Sequence, residues 1–221
     1  MKVIKKEERV VSVDLEVDTR RKDLALAEDN RRLLDEKGII AVDVMGSVGS
    51  GKTSFLQQVA KRLSGKRRMA AIAGDLTTTI DAQRIIDAGM DTLQVNTGRM
   101  CHLDSIIVRQ ALDQMDLDNL DLLFIENVGN LICPAGFPLG SHKKVVVISV
   151  TEGPYMVVKH PHMFMDADVV LINKVDLAEA MGVDPDALVR DVHNLRPSIK
   201  AIKVSCTRGD GIDEAMEALG L

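Results

Sequence analysis

Aromatic side chains are nearly missing from this chain: among 221 residues there is no tryptophan, one tyrosine and four phenylalanines. Platforms that stack single-stranded bases need such rings. The net charge of −5 and a pI near 5.6 supply no broad basic surface either, so nucleic acid is excluded as an expected partner. Long apolar runs are also lacking. Nothing approaches the roughly 20 residues of a membrane span, and the opening Met1 to Val10 is charged, with no apolar signal core behind it. The expectation is a cytoplasmic protein with no membrane partner. Three cysteines, an odd number, make no disulfide framework, and in a reducing compartment they read as buried thiols or metal ligands. Repeats, low-complexity tracts and long Pro/Gly/Ser linkers are absent from the sequence too.

What is present suits one buried core, since 46% of the residues are hydrophobic. Residues 1–37 carry both charge signs, with Leu24, Ala27, Arg31 and Leu34 on one helical face, and form an expected helical extension outside the main sheet. After Gly38 the pattern changes to an α/β domain over 38–221. Apolar runs at 39–45, 69–73, 122–125, 145–150, 169–172 and 202–204 read as strands. Helical spacing at 55–63, 178–181 and 187–195 supplies crossovers, so the expected sheet is mostly parallel and flanked by helices.

Gly46-Ser47-Val48-Gly49-Ser50-Gly51-Lys52-Thr53 fits the phosphate-binding pattern G-x-x-x-x-G-K-T and lies between an expected strand and helix. Its glycines let backbone N–H groups curl toward phosphate oxygens. Lys52 reaches the β and γ phosphates in this reading, Thr53 binds Mg²⁺, and Ser54 completes the nucleotide-binding stretch. Asn173-Lys174-Val175-Asp176 follows a strand. Guanine offers two adjacent donors that one carboxylate accepts together, which assigns Asp176 to the base, Lys174 to its face, and Asn173 to a base acceptor and to tying loops. Ser205-Cys206-Thr207 is placed to give backbone N–H to the guanine O6, or is an ordinary polar turn. GTP rather than ATP is the expected nucleotide, which disfavours a small-molecule kinase.

Three carboxylates are candidates for chemistry. Glu126 leaves an apolar strand as a Mg²⁺ holder, and Gly129 beyond it lets the backbone approach a γ phosphate. Asp75 ranks second for the metal. Asp81 either orients the attacking water or only starts a helix. No arginine is evident as a charge-stabilising finger, so slow unaided turnover is expected. Cys101-His102 and Cys133 are soft and borderline ligands suited to Zn²⁺ or Ni²⁺, but by spacing alone buried packing is the favoured reading. His160-Pro161-His162 reads as a turn, and His142 and His193 are scattered.

Together these segments resemble the HypB family, the nickel-insertion GTPases of nickel-iron hydrogenase maturation, related to urease accessory GTPases. The likeness runs from about Gly38 to the end. It rests on Met45 to Thr53, Ala73 to Asp75, Asn96 to Gly98 with Cys101 to Asp104, Phe124 to Pro134 and Asn173 to Asp176. The resemblance implies Mg²⁺-dependent conversion of GTP to GDP, a Ni²⁺ or Zn²⁺ site at Cys101, His102 and Cys133, and a GTP-dependent homodimer. The implied partners are a hydrogenase maturation protein and the hydrogenase large subunit. The alternative is a related GTPase, or a metal carrier or sensor, serving another metalloenzyme such as urease. Some members of the family add an N-terminal cysteine motif that binds nickel tightly or a histidine-rich tract that stores it, and the present sequence has neither.

Overall fold

The computed structural model describes residues 15–76, 78–98 and 100–221, with side chains from residue 21 onward. The first 14 residues of the expected extension, and Thr77 of the threonine run, lie outside the described residues. In chain order the elements are α1 (Leu15–Glu36), β1 (Ile40–Gly46), α2 (Lys52–Leu63), β2 (Met69–Asp75), α3 (Ile80–Asp87), β3 (Asp91–Asn96), α4 (Ser105–Leu112) and β4 (Leu122–Glu126). They continue with β5 (Lys143–Ser149), α5 (Met156–Lys159), β6 (Val169–Asn173), α6 (Ala178–Met181), α7 (Pro185–Leu195), β7 (Lys200–Lys203) and α8 (Ile212–Leu219).

The seven strands form one sheet in the order β3-β2-β4-β1-β5-β6-β7, and every pairing is parallel. Strands covered on both faces must be apolar throughout, which is why β4 and β6 read as unbroken hydrophobic runs. Side chains of β1 alternate between layers. Val42 and Val44 join a core with Phe55, Leu56 and Val59 of α2, while Ala41 turns to the opposite layer with Leu34 of α1 and Leu112 of α4. Pairing fixes register: Val44 and Ala73 both sit beside Glu126, and Ser149 sits beside Asn173. The carboxyl ends of the central strands therefore form one edge, with β1 between β4 and β5 at the point where chain order reverses.

Helix α1 is stitched to this frame. Leu34 is fully buried, Asn30 Nδ2 donates to Ser105 O at 2.9 Å, and Asp23 Oδ1 accepts from Ser105 N–H at 3.0 Å. His142, a scattered residue in the sequence, accepts from Ala41 N–H at Nδ1 (3.0 Å) and pairs through Nε2 with Asp35 (2.8 Å). Helix α1 packs chiefly on α4 and takes no place in the strand order. Leu34→Ala removes a fully buried side chain from the layer shared by α1 and α4, and should cost about 2–5 kcal/mol in chemical denaturation.

Candidate functional site

The loop from Gly46 to Thr53 leaves β1 and enters α2 at Lys52. Gly51 has φ 108°, and a Cβ there would meet Asn173 Nδ2 at 2.0 Å, so the loop and the later N-K-x-D segment close against each other only through glycine. Lys52 is buried, and its Nζ donates to Gly46 O (3.3 Å) and Ser47 O (3.1 Å). Burial lowers its pKa, opposed by Glu126, Asp81, Glu152 and Asp75. Thr53 Oγ1 donates to Glu126 Oε1 at 2.7 Å, while Glu126 Oε2 is buried with no hydrogen-bond partner among the described residues. Burial pushes the Glu126 carboxyl up to about 7 despite Lys52 and Thr53. A hydroxyl beside an orphaned carboxylate oxygen fits a hard divalent cation such as Mg²⁺.

These groups border a cavity of about 670 Å³ that also takes in Asp75, Asp81, Arg84 and Gly129. Asp75 accepts from Thr78 Oγ1 at 2.8 Å. Asp81 lies in the first turn of α3 and pairs with Arg84 at 3.2 Å, so it both opens a helix and faces the cavity. Gly129 approaches the phosphate loop closely, since a Cβ there would stand 2.6 Å from Val48 Cγ2 and 3.0 Å from the Val48 backbone.

Val48, Gly49, Gly51, Ser54, Asn173, Lys174, Asp176, Cys206 and Thr207 border the same cavity, while Gly46, Ser47, Ser50 and Ser205 are not among its lining residues. Asn173 is buried and ties three segments: Nδ2 donates to Ser50 O (2.8 Å), and Oδ1 accepts from Lys174 N–H (2.7 Å) and Cys206 N–H (3.1 Å). One of its amide hydrogens remains. Lys174 takes a left-handed conformation (φ 61°) and its Nζ donates to Thr151 Oγ1 at 3.3 Å. The expected N–H donors at Ser205 and Cys206 need correction, because Ser205 N–H already serves Asp210 O (3.0 Å) and Cys206 N–H serves Asn173. Ser205 contributes its hydroxyl instead, donating to Asp176 Oδ1 at 2.6 Å and fixing that carboxylate. Cys206 is buried, its thiol pushed up to about 12 by burial.

The candidate ligand atoms of Cys101, His102 and Cys133 all lie within 4.8 Å of one another. Burial lowers the His102 pKa, favouring the neutral imidazole that a metal needs, and the ring stacks on Phe137 with centroids 3.8 Å apart. The Cys133 thiol is raised, chiefly by its hydrogen bond with Cys101. Sulfur and imidazole in one cluster suit Ni²⁺ or Zn²⁺. Cys101 and Cys133 are half-buried, whereas Cys206 is buried.

Residues 40–203 match the family model described as CobW/HypB/UreG, nucleotide-binding domain. The chain belongs to this family. It is 43% identical over 205 residues to the probable hydrogenase maturation factor HypB of Methanocaldococcus jannaschii, covering 93% of each chain. The crystal structure of the Archaeoglobus fulgidus hydrogenase maturation factor HypB superposes with TM-score 0.84 at 40% identity, over 90% of this chain and 98% of that one. Helicobacter pylori HypB, solved in complex with nickel, gives TM-score 0.84 at 32% identity, over 90% of this chain and 93% of that one. Membership of the CobW/HypB/UreG family makes the chain a P-loop nucleotide-binding protein, homologous to hydrogenase maturation factors. Among the described residues no helix is long and apolar enough to cross a membrane.

Two charged residues at the phosphate-loop site of this family member had no sequence signal strong enough to find them. Arg84 borders the cavity and reaches Ser54 Oγ (3.2 Å) and Gln57 Oε1 (3.1 Å) as well as Asp81. Its only trace in the sequence is its place three residues after Asp81 on a short helix. Glu152 accepts from the Ser47 hydroxyl, and burial raises it to about 6. A larger groove of about 920 Å³ opens at the other end of the strands near Arg67, Arg68 and Asp91, and carries none of the motif residues.

The raised Glu126 pKa has a definite sign in stability. A carboxyl at about 7 when folded and 4.5 when unfolded favours the fold fully below 4.5, and the penalty on its charged form grows as pH rises through 7. Glu126→Gln should therefore stabilise the ligand-free protein by roughly 2–3 kcal/mol at about pH 8 and by little near pH 4, read from denaturant midpoints across pH.

Proposed function

We propose that this chain is a GTP-hydrolysing metallochaperone that couples guanine nucleotide to nickel delivery in hydrogenase maturation. The observation that carries the reading is the convergence of three sets at one sheet edge: a P-loop with Lys52, an Asp176 carboxylate steadied by Ser205, and a Cys101/His102/Cys133 cluster. Family membership and the nickel-bound relative support it.

In this reading the backbone from Gly46 to Ser54 cradles the phosphates, and Lys52 leaves its carbonyl partners for the β and γ oxygens. Mg²⁺ would be held by Thr53 and Glu126 with Asp75 close by, and would neutralise phosphate charge. Asp81, with Arg84 beside it, orients the attacking water. Gly129 follows the γ phosphate. The base lies against the Lys174 stem, with both guanine donors on Asp176 and its O6 near Thr207. Cys101, His102 and Cys133 hold Ni²⁺ or Zn²⁺ as cargo, with water or a second copy completing the ligand set.

Apolar side chains stand exposed beside this edge, Val48 at 83%, Ile132 at 72% and Ile80 at 64%, which supports a GTP-dependent homodimer closing there. The receiving partners are a hydrogenase maturation protein and the hydrogenase large subunit, in the cytoplasm.

Asp176→Ala should weaken GTP binding roughly 10- to 100-fold, the worth of a charge-assisted hydrogen-bond pair, and leave ATP binding unchanged in parallel titrations. Equal wild-type affinity for the two nucleotides would sink the guanine assignment. Cys101→Ala/Cys133→Ala should abolish tight Ni²⁺ binding, measured by equilibrium dialysis in GDP and in a nonhydrolysable GTP analogue. A variant that binds Ni²⁺ as well as wild type in both states shows that the cargo has been misassigned.

A further inference from the structure

Two asparagines flank Val128-Gly129, and both reach the loop that carries Cys101 and His102. Asn127 is fully buried. Its N–H is fixed on Val44 O (3.0 Å), and its Oδ1 accepts from Val128 N–H (3.1 Å) and from Leu103 N–H (3.0 Å). Its Nδ2 faces Asp43 Oδ1 at 3.5 Å, inside β1. Asn130 gives its N–H to Gly46 O (3.1 Å) at the root of the phosphate loop. Its Oδ1 accepts from Ile132 N–H (2.9 Å), one residue before Cys133, and its Nδ2 donates to Cys101 O (3.4 Å). The Cys101-to-Leu103 stretch is thus gripped on either side of His102.

The chemistry explains the residue type. Holding Leu103 and Val128 together takes an oxygen with two lone pairs, and holding Ile132 N–H and Cys101 O together takes an acceptor and a donor on one short side chain, which the asparagine amide supplies. Cys133 follows Gly129 within four residues, so the chain itself joins it to the phosphate-facing segment. Cys101 and His102 have no such short covalent route. Gly46 O, meanwhile, is shared by Asn130 N–H and Lys52 Nζ, so a lysine that turns to phosphate changes the partners of the carbonyl that anchors Asn130.

We infer that Asn127 and Asn130 are positioning residues that carry the nucleotide state of the phosphate loop to Cys101 and His102, so that both halves of the soft-ligand set answer to it. The inference rests on the reading above, that this edge binds guanine nucleotide and nickel. Linkage makes the effect reciprocal: whatever factor nucleotide exerts on nickel affinity, nickel exerts on nucleotide affinity.

The test titrates the full chain with Ni²⁺ against a chromophoric chelator, without nucleotide, with GDP and with a nonhydrolysable GTP analogue, for wild type, Asn130→Ala and Asn127→Ala. Wild-type nickel affinity should differ between the nucleotide states by a factor in the range of roughly 5 to 150. In Asn130→Ala that factor should fall to within about twofold of one, with nickel affinity in the absence of nucleotide and nucleotide affinity in the absence of metal each kept within about threefold. The reciprocal factor, nucleotide affinity with and without Ni²⁺, should collapse equally. Asn130 is partly exposed, so Asn130→Ala decides the matter even where Asn127→Ala fails to fold. A wild-type factor retained in Asn130→Ala overturns the inference and leaves the proposed function standing. Nickel affinity weakened equally in every state also overturns it, by making the asparagine a mere support of the ligands. A wild type that binds nickel without regard to nucleotide, or does not bind GTP, removes the proposed function and this inference with it.

Discussion

The burial of Lys52 and Glu126 side by side is the constraint on which the rest of the site depends. An all-parallel sheet must be apolar on both faces, so the acid that ends β4 and the lysine that starts α2 stand where water is scarce. Their attraction does not restore the lost hydration, since Glu126 stays near 7 and the Lys52 pKa is lowered. Lys52 is left on loop carbonyls, and one Glu126 oxygen has no partner among the described residues. The ligand-free edge is thus poised to gain from phosphate and a divalent cation, which supply charge of the kind each group lacks.

The strongest parts of the fold were legible because buried parallel strands have no polar face. Runs such as Leu122 to Ile125 announce themselves, and the observed strand extends them by a single residue to Glu126. β3 escaped notice because it lies at the sheet edge, where Asp91, Thr92, Gln94 and Asn96 are tolerated beside Leu93 and Val95. α4 and α8 were not read as helices, and α3 was glimpsed only in Asp81 as a helix start.

The site was legible where chemistry fixes neighbours in sequence, and illegible where it fixes neighbours in space. Gly46 to Thr53 and Asn173 to Asp176 are contiguous strings. Arg84, Glu152 and the Ser205 hydroxyl have no string to belong to, and a backbone N–H that is spent internally, as at Cys206, looks the same in sequence as a free one. Cys101 and Cys133 are the intermediate case. Spacing alone favoured packing over metal ligation, and only the fold brings both sulfurs and one imidazole within 4.8 Å of one another while Cys206 is buried.

The contact between Gly51 and Asn173 has a consequence for how this protein can change. Any side chain at 51 would occupy the place of the Asn173 amide, and any residue at 173 small enough to make room would abandon Ser50 and Cys206 together. Two signatures more than a hundred residues apart therefore form one unit of inheritance. Neither position can drift alone, and a paired replacement loses the interlock it was meant to preserve, so divergence in this chain is channelled away from both.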